Sequence, residues 1–185
     1  MLIGILALQG AFKEHEIVLD KMGIAYKEIR GKDDLKVDYD ALILPGGEST
    51  VQSKLINELD MKDLLIQKMA NIPVLATCAG MILLAKKLDT NEEHLCLMPI
   101  KVKRNAYGRQ LGSFHTTGNF KHIGEIPMTF IRAPYIEKAS EDVEILAAVN
   151  NHIVAAKYNN LIALSFHPEL DDDLRIYQYF INHIK

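Results

Sequence analysis

The sequence predicts an α/β fold, a three-layer open mixed sheet flanked by helices, and three observations carry that expectation. The runs at 2–8, 41–44 and 161–164 are apolar at successive positions, so both side-chain parities are dry, as in parallel strands covered on both faces. Between such runs lie segments with apolar residues three or four apart, such as Phe12, Leu19 and Met22 with His15 in the same series, the spacing of one helix face. Beyond about residue 95 the pattern changes to short β-type runs divided by turn residues, some of which must pair antiparallel.

Taken in order, a strand at 2–8 leads through Gln9-Gly10 into a helix that Gly23 stops, and a second strand follows at 24–29. The charged stretch after it is weakly specified. A strand at 40–44 enters Pro45-Gly46-Gly47, and Ser49-Thr50 offers a cap to a helix carrying Val51, Leu55 and Leu59 and reaching Met69, with Asp60 as a point of division. A short buried strand is expected at 73–77 and a helix at 81–88. The β-type runs fall at 95–104, 110–114, 128–131, 143–148, 152–157 and 161–166, with turns at Tyr107-Gly108-Arg109 and Asn150-Asn151. Leu174, Tyr177, Ile181 and Ile184 give the last segment a helical stripe.

The 185 residues read as one domain, 1–185, with no Pro/Gly/Ser linker, no repeat and no low-complexity tract. With 49% hydrophobic and 24% charged residues, the chain is neither disordered nor fibrous. Lys and Arg total 21 against 24 Asp and Glu, a net charge of -3, which does not supply the basic surface of a dedicated nucleic-acid binder. No apolar run is long enough to span a membrane, and the first residues lack the basic region of a secretory signal, so a cytoplasmic protein is expected. Cys78 and Cys96 do not make a disulfide framework, and His94, Cys96, His115 and His152 lack the cadence of metal ligands; neither a metal nor a cofactor is expected.

Three short motifs follow apolar strands. Ala76-Thr77-Cys78-Ala79-Gly80 has the small-x-nucleophile-x-Gly form of a nucleophile elbow, with cysteine at its centre. A thiol at such a turn projects into a crevice, and the helix entry behind it favours a thiolate. The other reading is a buried cysteine at an ordinary helix start. In Ser165-Phe166-His167-Pro168-Glu169, Pro168 disfavours a helical conformation at His167, and an extended path would put His167 and Glu169 on one side as base and orienter. A surface His-Pro-Glu turn is the plainer alternative. Pro45-Gly46-Gly47-Glu48-Ser49-Thr50 lets backbone approach a ligand, but lacks the Gly-Lys-Ser/Thr ending of a phosphate loop.

Open α/β sheets place sites beyond strand C-termini, so the three motifs can converge. Cys78 would then attack a carbonyl, His167 would take and return its proton, and Glu169 would orient His167. The N–H groups of Gly47 and Ala79 are the expected oxyanion donors, each worth roughly 2.7–4 kcal/mol of barrier. Activity should fall on the acidic side as His167 becomes charged before attack.

The order PGGEST, TCAG, SFHPE resembles that of class I glutamine amidotransferases. More closely, LALQGAFKEHE, LILPGGEST, LATCAGMILLAKKL, RNAYGRQLGSF, FIRAPYI and SFHPEL are similar to the glutaminase subunits of pyridoxal 5'-phosphate synthases, across nearly the whole chain. The resemblance implies hydrolysis of L-glutamine to glutamate and ammonia through a cysteine thioester. It also implies a hetero-oligomer in which a separate (β/α)₈ synthase subunit accepts the ammonia for vitamin B6 synthesis. It carries over Cys78, His167 and Glu169 as nucleophile, base and orienter, and points to Gly47, Glu48, Ser49, Arg104, Ile131 and Arg132 as the substrate-binding set. Arg104 could recognise a carboxylate, hold the Gly-rich loop, or belong to a solvated basic strand with Lys101, Lys103 and Arg109. His15 lies in a segment resembling the region near the synthase, or packs as a partly buried helix histidine beside Phe12 and Leu19.

The sequence departs from the resemblance at Ala76, where glycine is common, and at His115-Thr116-Thr117, where an acidic residue is common. A glutaminase of another amidotransferase system and a non-enzymatic interaction module remain the alternatives.

Overall fold

The computed structural model describes residues 1–90, 92, 94–104 and 112–184. The turn expected at Tyr107-Gly108-Arg109 and the start of the run at 110–114 lie outside the described residues. Strands β1 (Leu2–Leu6), β2 (Ala25–Ile29), β3 (Ala41–Leu44), β4 (Val74–Thr77) and β12 (Leu161–Leu164) form a parallel half in the order β2-β1-β3-β4-β12. The sheet continues antiparallel through β11 (His152–Tyr158), β9 (Tyr135–Ala139) and β6 (Met98–Lys103); β5 (Ala85–Leu88) closes the edge and β10 (Glu144–Val149) pairs with β11. A separate hairpin joins β7 (Ser113–Phe120) to β8 (Gly124–Ile131). This is the mixed sheet flanked by helices that the sequence predicts.

Strands β1, β3, β4 and β12 are dry on both faces because alternate residues enter different cores, whereas edge strand β2 buries only Ile29. Leu42, Leu44, Val74, Ala76, Leu161 and Ala163 pack on one side. There they meet helices α2 (Ser49–Glu58), α3 (Lys62–Met69) and α4 (Ala79–Leu84), through Ile56, Leu65, Met69, Met81 and Leu83. Ile3, Ile5, Ala41, Ile43, Leu75, Ile162 and Leu164 face the other way, toward Val18 and Leu19 of α1 (Phe12–Lys21), Ile176 and Phe180 of α5 (Arg175–Ile181), and Phe120, Met128 and Phe130 of the hairpin. Thr77 has the parity of Leu75, so it ends β4 on the α1 and α5 side.

Asp60, at φ 51°, divides α2 from α3 as expected, whereas Ser49 is the first helical residue and makes no side-chain cap. Asn150 and Asn151, at φ 50° and 62°, form the two-residue hairpin between β10 and β11. The helix expected at 81–88 is corrected: α4 starts at Ala79 and stops at Leu84, and 85–88 is a strand. The cause is distant in sequence. Leu95 and Leu97 donate their N–H groups to the carbonyls of Leu83 and Leu84, satisfying the helix end and letting the chain leave extended. No helix among the described residues is long and apolar enough to cross a membrane.

Candidate active site

The loops after β1, β3, β4 and β12 open at the same end of the sheet and surround a cavity of about 300 Å³. Its wall includes Gln9, Gly46, Gly47, Glu48, Ser49, Thr50, Cys78, Arg104, Ile131, Arg132 and His167. All six residues of the expected substrate-binding set are therefore on one surface with Cys78 and His167. Ala79 is buried directly behind Cys78 and does not line the cavity.

Cys78 is the residue between β4 and α4, at φ 47° and ψ -100°, a left-handed conformation that cysteine adopts only when its surroundings enforce it. Its N–H donates to the Leu164 carbonyl at 2.8 Å, and its Sγ lies 3.9 Å from the Ile131 carbonyl oxygen. Tight passage accounts for the flanking glycine: a Cβ on Gly80 would overlap the Leu44 carbonyl. Gly46 is constrained from the other side, since a Cβ there would overlap the His167 ring and press on Cys78.

His167 and Glu169 meet as expected, Nδ1 to Oε1 at 2.6 Å, but through a different backbone. Pro168–Leu170 is a 3₁₀ turn rather than an extended path, and the tight turn folds Glu169 back under the ring. The His167 N–H donates to the Thr129 carbonyl of β8 at 2.8 Å, tying the turn to the hairpin. Burial works against charging His167, but the neighbouring Cys78 and the hydrogen-bonded Glu169 prevail and push its pKa up to about 10. Burial likewise opposes ionisation of Glu169, and the His15 and His167 rings beside it nevertheless hold its carboxyl below the usual range. A pKa pushed upward runs against the expectation that His167 charges on the acidic side and moves its titration toward the alkaline limb.

His15 is fully buried, its Nε2 3.6 Å from Glu169 Oε1 and its Nδ1 2.6 Å from the Tyr177 hydroxyl. It lies behind the triad, not on a surface, and it packs against polar groups as well as beside Leu19. Arg104 donates to Glu92 Oε2 at 2.7 Å and to Thr50 Oγ1 at 3.4 Å, which ties it to the start of α2. Arg132, at φ 43°, donates its N–H to the Gly112 carbonyl and extends its mostly exposed side chain to within 3.9 Å of Glu48.

Sequence reasoning missed Gln9 and Gln52. Gln9 Oε1 accepts the Glu48 N–H at 2.8 Å, and the buried Gln52 donates to the carbonyls of Gln9 and Pro45 at 2.9 and 3.2 Å. The one available signal for Gln9 was its place after the first buried strand, where an amide ends an apolar run. Thr77 was read only as part of the elbow, yet its Oγ1 accepts the Gly46 N–H at 3.0 Å. Cys78 and Cys96 are both free thiols, and no cluster among the described residues has the makings of a metal site.

A family model described as the SNO glutamine amidotransferase family matches residues 5–185. The chain belongs to that family. It is 56% identical over 186 residues to the pyridoxal 5'-phosphate synthase subunit PdxT of Desulfitobacterium hafniense, covering 100% of this chain and 94% of that protein. The PdxT subunit of Streptococcus pneumoniae is 54% identical over 191 residues, with 100% and 98% covered. A crystal structure described as a glutamine amidotransferase superposes with a TM-score of 0.93 at 38% identity, covering 98% of each chain. The chain is thus a glutamine amidotransferase with glutaminase activity, and the reading as a non-enzymatic module falls away.

Proposed function

We propose that this glutaminase hydrolyses L-glutamine at Cys78, His167 and Glu169, and that it passes the ammonia to a (β/α)₈ pyridoxal 5'-phosphate synthase subunit in a cytoplasmic hetero-oligomer. The observation that carries the site assignment is that Cys78 and His167 line one 300 Å³ cavity and that Glu169, buried behind them, is hydrogen-bonded to the His167 ring at 2.6 Å. The similarity to PdxT subunits supports the choice of ammonia acceptor.

Cys78 sulfur, facing the His167 imidazolium, attacks the side-chain amide carbon of glutamine. The carbonyl electrons move to oxygen, where the Gly47 and Ala79 N–H groups are the proposed donors. As the tetrahedral species collapses, His167 gives its proton to the departing nitrogen, ammonia leaves, and a glutamyl thioester remains. Neutral His167 then takes a proton from water, the hydroxide attacks the thioester, and glutamate departs as the sulfur and imidazolium are restored. Glu169 keeps the ring in register throughout. In this reading Gly47, Glu48, Ser49 and the backbone at Ile131 and Arg132 hold the amino-acid end of glutamine, and Arg104 fixes the loop through Thr50.

Glutamate release measured for the purified chain, alone and with the candidate synthase, tests both halves. Stimulation by the barrel subunit is expected, and Cys78→Ala should abolish turnover while leaving complex formation intact. Full activity in Cys78→Ala would sink the site assignment; no binding and no stimulation would sink the partner.

A further inference from the structure

Behind the triad lies a buried polar cluster that the reaction as written does not use. His15 of α1, Thr77 at the end of β4 and Tyr177 of α5 come together from positions 62 and 162 residues apart, all with no more than 0% exposure. Polar side chains are not gathered in a core without hydrogen-bonding consequences, because an orphaned buried polar group is costly.

The proton positions follow from chemistry. Burial keeps the Tyr177 phenol protonated, so its O–H donates to His15 Nδ1 at 2.6 Å. Burial also lowers the His15 pKa, leaving a neutral ring, and with Nδ1 accepting, the single ring proton belongs on Nε2. That N–H donates to Thr77 Oγ1 at 3.3 Å and lies 3.6 Å from Glu169 Oε1, close enough for an electrostatic contact though beyond hydrogen-bond length. The same Thr77 oxygen accepts the Gly46 N–H from the cavity loop. One imidazole therefore touches the carboxylate of the triad and, through one hydroxyl, the backbone of the Gly-rich loop.

We propose that His15 is a positioning residue, locked as the Nε2–H tautomer by Tyr177, which holds Glu169 against His167 and the Thr77 oxygen against the Gly46 peptide. The proposal rests on the assignment of Cys78, His167 and Glu169 as the hydrolytic site. The titratable groups facing this cluster are Cys78, His167 and Glu169 on the site side, Glu14 on α1 and Tyr177 on α5.

The test is glutamine turnover by the full chain in complex with the synthase, as a function of pH, for His15→Leu, His15→Gln and Tyr177→Phe, with Cys78→Ala as control. A glutamine amide can present an N–H where His15 Nε2 stands, and leucine cannot. His15→Leu should lower kcat about ten-fold with KM little changed, as expected for lost orientation. Its alkaline limb should move to lower pH by about half a unit or more, because a displaced Glu169 supports the imidazolium less. His15→Gln should recover most of the rate and the original limb. If His15→Leu does not fold, Tyr177→Phe decides: freed Nδ1 can take the proton and turn a lone pair on Glu169, so a loss of about three-fold with the same direction of pH shift supports the inference. An unmoved alkaline limb in the folded variants, or a His15→Gln enzyme as impaired as His15→Leu, overturns it. Turnover surviving in Cys78→Ala overturns the underlying site assignment, and this inference with it.

Discussion

The parallel half of the sheet and the β7–β8 hairpin both reach the cavity, but they contribute different things. From the parallel half come side chains: Gln9, Cys78 and His167 stand just beyond the ends of β1, β4 and β12. From the hairpin come backbone atoms, the Thr129 carbonyl that holds the His167 N–H and the Ile131 carbonyl beside the Cys78 thiol. Reactive groups thus sit just beyond β1, β4 and β12, strands buried on both faces. The hairpin acts as a brace anchored in the core by Phe120, Met128 and Phe130, and it meets the catalytic groups through backbone carbonyls. A substitution in the first region should consequently cost more than one in the second.

Gly80→Ala should show the largest effect. Its methyl would overlap the Leu44 carbonyl, a backbone atom that cannot turn aside, so β3 and α4 must separate. Loss of stability on the order of 3 kcal/mol is expected, read by urea denaturation. A near-native midpoint would mean that the junction is looser than the contact implies.

Thr129→Val probes the brace. The hydroxyl donates to Asp171 Oδ1 at 2.9 Å and accepts from His115 Nδ1 at 2.9 Å, so stability should fall by roughly 1.5 kcal/mol. The carbonyl that holds His167 is untouched, and kcat should hardly change. A large loss of kcat would show that the hairpin contributes side-chain chemistry after all. His115 itself, a departure from the resemblance, takes its place in this brace rather than in the cavity wall.

The pH dependence of stability separates the two regions again, because the buried His15 and Glu169 lie behind the ends of the parallel strands and not in the hairpin. His15 has its folded pKa lowered by burial from 6.5, so the unfolded chain takes up a proton that the native chain refuses. Its contribution is whole above pH 6.5 and is lost as pH falls below it, at up to about 1.4 kcal/mol per pH unit. Glu169, also lowered, loses its contribution in a second window below 4.5. Urea midpoints measured from pH 7 to pH 5 should decline in the parent chain and decline less in His15→Gln; parallel curves would contradict the burial of a neutral ring.

The same contrast governs what could be read from the sequence. Apolar runs on both parities identify β1, β3, β4 and β12, and the motifs at their ends locate Cys78, Gly46 and His167, because local pattern and site coincide there. Strand β9 went unread: only Ile136 of its five residues is buried, leaving no alternation to detect. The helix at 81–88 was overextended because the bonds that end it come from Leu95 and Leu97. His15 shows both sides of the matter. Helical spacing placed it on the inward face, but its partner Tyr177 lies 162 residues away, and Thr77 gave no sign that one hydroxyl would serve both a histidine and a loop.

Arg132→Ala should produce the smallest change in stability and sharpens the comparison most. The side chain is 73% exposed and its ion pair with Glu48, itself 63% exposed, spans 3.9 Å, a geometry that solvent screens to less than about 0.5 kcal/mol. Arg132 also has φ 43°, where any Cβ carries some strain, and alanine keeps that strain while removing the charge. The urea midpoint should therefore stay put. Arg132→Gly releases the backbone as well and should raise the midpoint slightly. If alanine instead costs as much as Thr129→Val, the Arg132 to Glu48 contact is holding the cavity rim together, and the brace extends past the end of β8 through side chains as well as backbone.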